Sequence, residues 1–169
     1  LAAHRVKSIG AIYFEGEMAV NAAGVAQGRW TGKLAVEKRL GHDDQSAFAG
    51  LITAAPDLWT ADHRLAGCAA IYLRLTYDPD AFPSGIPNIT VDLEGKDDIF
   101  DPRTAARSYT ENAALCVADY MAHPIFGIGA GIGAPDGIET DNLIEAANIC
   151  DEQIALAGGG FEPRYSCNG

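Results

Sequence analysis

Gly127-Ile128-Gly129-Ala130-Gly131-Ile132-Gly133 formally matches the glycine fingerprints of dinucleotide and phosphate sites. Such sites need a buried strand just before the glycines and a helix starting among them, so that N–H groups at a helix N-terminus meet the phosphate. Here a helical stretch and His123-Pro124 come first, and Pro135-Asp136-Gly137 interrupts afterwards. The expected structure is therefore a connection between helices, ligand-free and mobile because four alternating glycines leave few side chains to anchor it. A small α+β nucleotide- or ligand-binding enzyme domain that uses the Gly127 to Gly133 loop is the alternative reading.

Three other sets of residues bear on chemistry. Asp92, Glu94, Asp97, Asp98 and Asp101 flank one turn and offer oxygen ligands of the kind calcium takes, but without the D-x-D-x-D-G order that makes a calcium loop. His4, His42, His63 and His123 lie far apart, with neither H-x-H nor H-x-x-x-H spacing for zinc. Ser46, Ser84, Ser108 and Ser166 lack the G-x-S-x-G elbow, and Cys68, Cys116, Cys150 and Cys167 form no C-x-x-C pair. The expectation is no catalytic residue, no cofactor-binding residue, no metal ligand and no cofactor. The cysteines are expected to be buried free thiols, with Cys116 and Cys150 on the inner faces of two C-terminal helices.

Charge narrows the partners. A formal net charge of −11 argues against a nucleic-acid surface, which needs clustered Lys and Arg, although Arg5, Lys7, Arg29, Lys33, Lys38 and Arg39 all fall before Gly41. No apolar run approaches the ~18 residues that span a bilayer, and Leu1-Ala2-Ala3-His4-Arg5 is not a signal peptide. A 48% hydrophobic content in 169 residues can build one ordinary core or two small ones.

These residues must be positioned by elements whose patterning changes across Phe100 to Asp119. Before it, Ser8–Glu15, Lys33–Leu40, Ala69–Tyr77 and Asn88–Glu94 read as strands. Ala69, Ile71, Leu73 and Leu75 face one side, and Ile89, Val91 and Leu93 point inward from a strand expected to pair with it across the loop Asp78–Pro87. Gln45–Ala55 reads as a short helix capped by Asp43 or Asp44, ending before Pro56. After the change, Asn112, Thr110 or Ser108 can cap a helix through Ala113–Ala118, Ser108 with Glu111 fitting the capping-box spacing. A second helix is expected from Thr140 or Asp141 to about Ala157, ended by Gly158-Gly159-Gly160. The fold class is α+β, an antiparallel β-rich N-terminal part (1–100, a hub-like or inserted subdomain) with a C-terminal helical pair (101–169), or one domain overall.

The same stretch carries a resemblance. Asp101-Pro102-Arg103-Thr104, Tyr109, Asn112, Ala114-Leu115-Cys116 and Asp119-Tyr120 are followed in order by three more blocks: His123-Pro124 with the glycine loop, Ala146–Glu152, and Gly160–Asn168. Together with Phe82–Ile89 and Gly95-Lys96 upstream, they resemble the central part of the tail tip attachment (host-specificity) protein J family of lambda-like phages and prophages. The resemblance runs from about Gly67 to Gly169 and is loose before that. It implies a non-enzymatic structural module of a tail tip or baseplate hub, acting in virion assembly and host attachment. It also implies a location at the virion tail tip after synthesis in the bacterial cytoplasm, with other tail proteins as partners, and no nucleic acid or membrane insertion by this chain. The parent protein would be a homotrimer with its receptor-binding part outside these residues, whereas this chain by itself is expected to be monomeric.

Overall fold

β1 (Ser8–Phe14) is rich in β-branched and aromatic residues and forms the middle of a three-stranded antiparallel sheet, between β2 (Glu17–Val20) and β5 (Ile89–Glu94). Glu15 and Gly16, both at positive φ, make the tight turn into β2. β3 (Leu34–Leu40) and β4 (Ala69–Leu75) pair along their full length, from Leu34 opposite Leu75 to Leu40 opposite Ala69. This is a computed structural model that describes residues 1–167, and these strands lie in the first of two units, Leu1–Lys96. Asn168, the last residue of the matching block Gly160–Asn168, lies outside the described residues.

The core of the first unit gathers Ile12, Phe14, Ala19, Val20, Trp30, Ala81 and Phe82, with Leu34, Val36, Ile71, Leu73, Leu75, Ile89 and Val91 packed around it. Trp30 is fully buried at the end of a 3-10 turn (Gly28–Trp30); its indole donates to the Ala81 carbonyl at 3.2 Å, and Phe14 meets it edge-on at 5.6 Å. Ala81 and Phe82 come from the proline-rich loop, so that connection plugs the core instead of lying over it.

Two expectations for the strands of this unit are corrected. β5 pairs with β1, not with β4, because β4 is already matched residue for residue by β3. Leu93 is 40% exposed rather than inward, since the β1–β5 register shifts between Ile9 and Ile12, opposite the step from Leu93 to Val91. Lys38 satisfies the backbone at that irregularity, its ammonium donating to the carbonyls of Ile9 (2.9 Å) and Gly10 (2.6 Å).

The short helix α1 spans only Ala49–Ala54, and neither Asp43 nor Asp44 caps it. Glu37 of β3 does so across the chain, accepting from the N–H groups of Ala49 (3.0 Å) and Gly50 (2.6 Å). Gln45, expected inside the helix, is buried in the loop before it. Its carbonyl accepts from Gly41 N–H, and its amide donates to the carbonyls of Arg64, Leu65 and Cys68.

The second unit begins at Asp97 with a hairpin of β6 (Ile99–Asp101) and β7 (Ala106–Ser108). Then come α2 (Ala113–Ala122), α3 (Thr140–Asp151), and a second hairpin of β8 (Gln153–Ala155) and β9 (Phe161–Pro163). Ile99, Leu115, Ala118, Leu143 and Ala147 form its core. The chain is thus α+β with antiparallel pairing in every named sheet, as patterning predicts. Corrections fall at the edges of helices. Ser108 lies in β7 and takes no part in a capping box. α3 stops at Asp151 instead of Ala157, and the three glycines turn the hairpin after it. Its cap is Glu139, whose carboxylate accepts from Asp141 and Asn142 N–H, in place of Thr140 or Asp141.

Candidate functional site

Asn112 holds the second unit together at one buried point. Its Oδ1 accepts from Leu115 N–H at 3.2 Å, capping α2 as the sequence predicts, while Nδ2 donates to the Ala147 carbonyl of α3 at 2.8 Å. The side chain is 4% exposed, so one residue closes a helix end and fastens two helices. Ser166 forms an antiparallel bridge with Asn112, and Cys167 N–H donates to Glu111 O at 2.7 Å, which brings the C-terminal segment to the same place.

Arg103 makes the second junction. Its guanidinium grips Asp101 through Nε (3.0 and 3.1 Å) and Nη2 (2.8 Å), and its Nη1 reaches Asp151 at 2.7 Å and Asn148 at 3.3 Å. These charge-assisted bonds hold the Asp101 carboxyl below the usual carboxylate range and push Arg103 up. Asp151 is the last residue of α3, so the guanidinium also sits where the helix dipole favours a cation. A third junction joins Glu152 to Arg164 by a side-chain pair at 2.7 Å and a backbone bond at 2.8 Å, next to Tyr165 N–H on Cys150 O.

Between α2, α3 and the segment after β9 lies an apolar groove of about 1070 Å³, with Val117, Met121, Leu143, Ala146 and Tyr165 among its lining. Ile125, Phe126 and Ile128 of the loop after α2 are exposed nearby in sequence. The groove is an apolar surface of the second unit, with Glu139, Glu162 and Arg164 among its polar margins.

The glycine loop sits at the C-terminal end of α2, where the dipole repels an anion. Gly127 N–H donates to His123 O, and Ile128 and Ala130 N–H both donate to Met121 O, so the loop amides close the helix carbonyls. Gly133 N–H donates to Ile138 O and Ile138 N–H to Gly131 O, which makes the loop a set of backbone-bonded turns, not the unanchored segment expected. A Cβ on Gly127 would sit 1.9 Å from Tyr120 O, and one on Gly137 1.9 Å from Gly131 O. Close backbone approach requires glycine at these two positions.

Several of the other sequence candidates are engaged in local bonds. Asp92 accepts from the Tyr13 hydroxyl, and Glu94 from Lys7 and Ser8, which lower its pKa. Among the described residues no three His, Cys, Asp or Glu are grouped to hold a metal. His63 Nδ1 faces Thr60, and His123 Nδ1 accepts from Ile125 and Phe126 N–H, both as turn residues. Cys150 is buried as expected, Cys68 and Cys116 are half-buried, and Cys167 is exposed, against expectation.

The chain is similar to the tip attachment protein J of Escherichia phage SECphi27. The two are 28% identical over 108 residues, covering 54% of this chain and 9% of that protein. No known protein-family profile matches the chain. At 9% of its length, the chain corresponds to a small part of that phage protein.

All three junctions lie within the blocks on which the resemblance was drawn. Arg103, held by Asp101, meets Asn148 and Asp151; Asn112 meets Ala147 and Ser166; Glu152 meets Arg164. Sequence spacing gave no sign of the groove, since its walls come from four separate stretches. Each stretch by itself shows only an apolar stripe or a turn.

Proposed function

We propose that this chain is a non-enzymatic structural module of a phage tail tip or baseplate hub protein, acting in tail assembly and host attachment. The observation that carries this reading is the mutual bonding of the matching blocks. Asn112, Arg103 and Arg164 use their polar side chains to cap a helix and to bond one block to another. Such residues specify a fold, and the 28% similarity to a phage tip attachment protein supplies its setting. The partners on this reading are other tail proteins, the parent is a homotrimer, and the location is the virion tail tip.

Immunoelectron microscopy of particles that carry this sequence tests the proposal. Antibody raised against residues 97–167 is expected to label the distal end of the tail. Labelling confined to the capsid, or its absence from purified particles, overturns the reading. The nucleotide-binding alternative is tested by thermal shift with ATP, NAD and sugars, where no saturable shift is expected.

A further inference from the structure

We propose that Cys116 and Cys167 form an intramolecular disulfide that clips the C-terminal segment to the start of α2. Contacts around Thr110, Glu111 and Asn112 bring the two cysteines to one place. Cys116 lies in the first turn of α2, its N–H bonded to Asn112 O, and its Sγ points back along the helix to Thr110 O at 3.5 Å. Ser166 is bridged to Asn112, and Cys167 N–H donates to Glu111 O at 2.7 Å, so Cys167 lies beside the residue next to Thr110. Cys167 is also close enough to be among the causes that push the Cys116 thiol up. Patterning did not reveal this pair, because the two residues are brought together by contacts between stretches far apart in sequence.

The chemistry is thiol–disulfide exchange with a low-molecular-weight disulfide, for which oxidised glutathione is the probe. Exposed Cys167, as thiolate, attacks one sulfur of the oxidant, giving a mixed disulfide and releasing one glutathione thiolate. Cys116 then loses its proton to solvent and attacks the Cys167 sulfur, closing the bond and releasing the second glutathione. Two protein thiols give up two electrons and two protons, and the oxidant becomes two thiols. Burial, with the neighbouring Cys167, pushes the Cys116 thiol up to about 11, so the second step is the slow one and quickens as pH rises toward that value. Closure would fix the segment that carries Arg164, Tyr165 and Ser166 against α2, and so set the width of the apolar groove. This inference rests on the thiol geometry alone and stands apart from the tail-tip reading.

The native chain is incubated with oxidised glutathione at pH 8.5, after which free thiols are titrated and peptides mapped by mass spectrometry without reduction. The expected result is a fall of two from the chain's four thiols, with a Cys116 peptide linked to a Cys167 peptide in monomeric protein. The oxidised chain should melt higher by roughly 10 °C or more, because the bond closes a long loop. Cys167→Ser, a change at an exposed position, should leave the reduced melting temperature unchanged and abolish the oxidation-dependent rise; Cys116→Ser should stop at the Cys167–glutathione adduct. A wild-type reaction that halts at the mixed disulfide, links other cysteines, or joins separate chains overturns the proposal.

Discussion

At the scale of single residues, this chain relies on polar side chains that each serve two elements. Asn112→Ala removes the α2 cap and leaves the Ala147 carbonyl without its partner, so a loss of about 2–3 kcal/mol is expected in urea unfolding. Asn112→Asp keeps the capping oxygen but not the donor, and should lose nearly as much; a change under about 0.5 kcal/mol in either variant would show that the junction does not hold the helices. Arg103 provides a pH-dependent case. Its bonds depress the folded pKa of Asp101 relative to the unfolded value of about 3.9, so the pair stabilises above that value and the gain is lost as pH falls through the depressed pKa. Arg103→Ala should therefore cost about 2 kcal/mol at pH 7, with the difference from wild type shrinking as pH falls below the unfolded value of about 3.9. Arg103→Lys should recover little, because an ammonium cannot reproduce the fork that reaches Asp101 and Asp151 together. Equal losses at pH 7 and pH 3 would contradict this account.

At the scale of elements, close backbone approach decides more than propensity does. Gly127 lies where a Cβ would meet Tyr120 O at 1.9 Å, so Gly127→Ala must displace either the loop or the end of α2. A loss above about 2 kcal/mol is expected by thermal or urea unfolding. Gly95→Ala meets nothing within 4 Å and should stay within about 0.5 kcal/mol, so similar effects of the two changes would refute the packing argument. In the first unit the corresponding element is the Trp30 turn. Trp30→Ala should cost about 3–5 kcal/mol, since it opens a cavity against Phe14 and frees the Ala81 carbonyl.

At the scale of the whole molecule, acidic charge and modest interfaces set the behaviour in solution. With a formal net charge of −11, copies repel one another at low salt. Isolated contacts below roughly 1,000 Å² seldom offset the entropy of association. Sedimentation at micromolar concentration and low salt should therefore give a monomer. A stable trimer would contradict this expectation and place a trimer contact within these residues.

The sequence by itself determined whatever depends on neighbours along the chain. Alternation specified β1, β3, β4 and β5, Asn112 marked the start of α2, and the α+β class followed from the change of pattern near Phe100. Tertiary structure decided whatever depends on residues far apart. β5 joined β1 because strand pairing is chosen by the free edge, and alternation alone does not name a partner. Glu37 capped α1 because a carboxylate from a packed strand reached free N–H groups that local aspartates did not. α3 ended at Asp151 because Glu152 and the residues after it found bonds with Arg164 and the final hairpin, which outweighed the helical propensity of Gln153 to Ala157. The groove and the adjoining thiols have the same origin: stretches that are bland in sequence acquire a surface only when long-range hydrogen bonds bring them together.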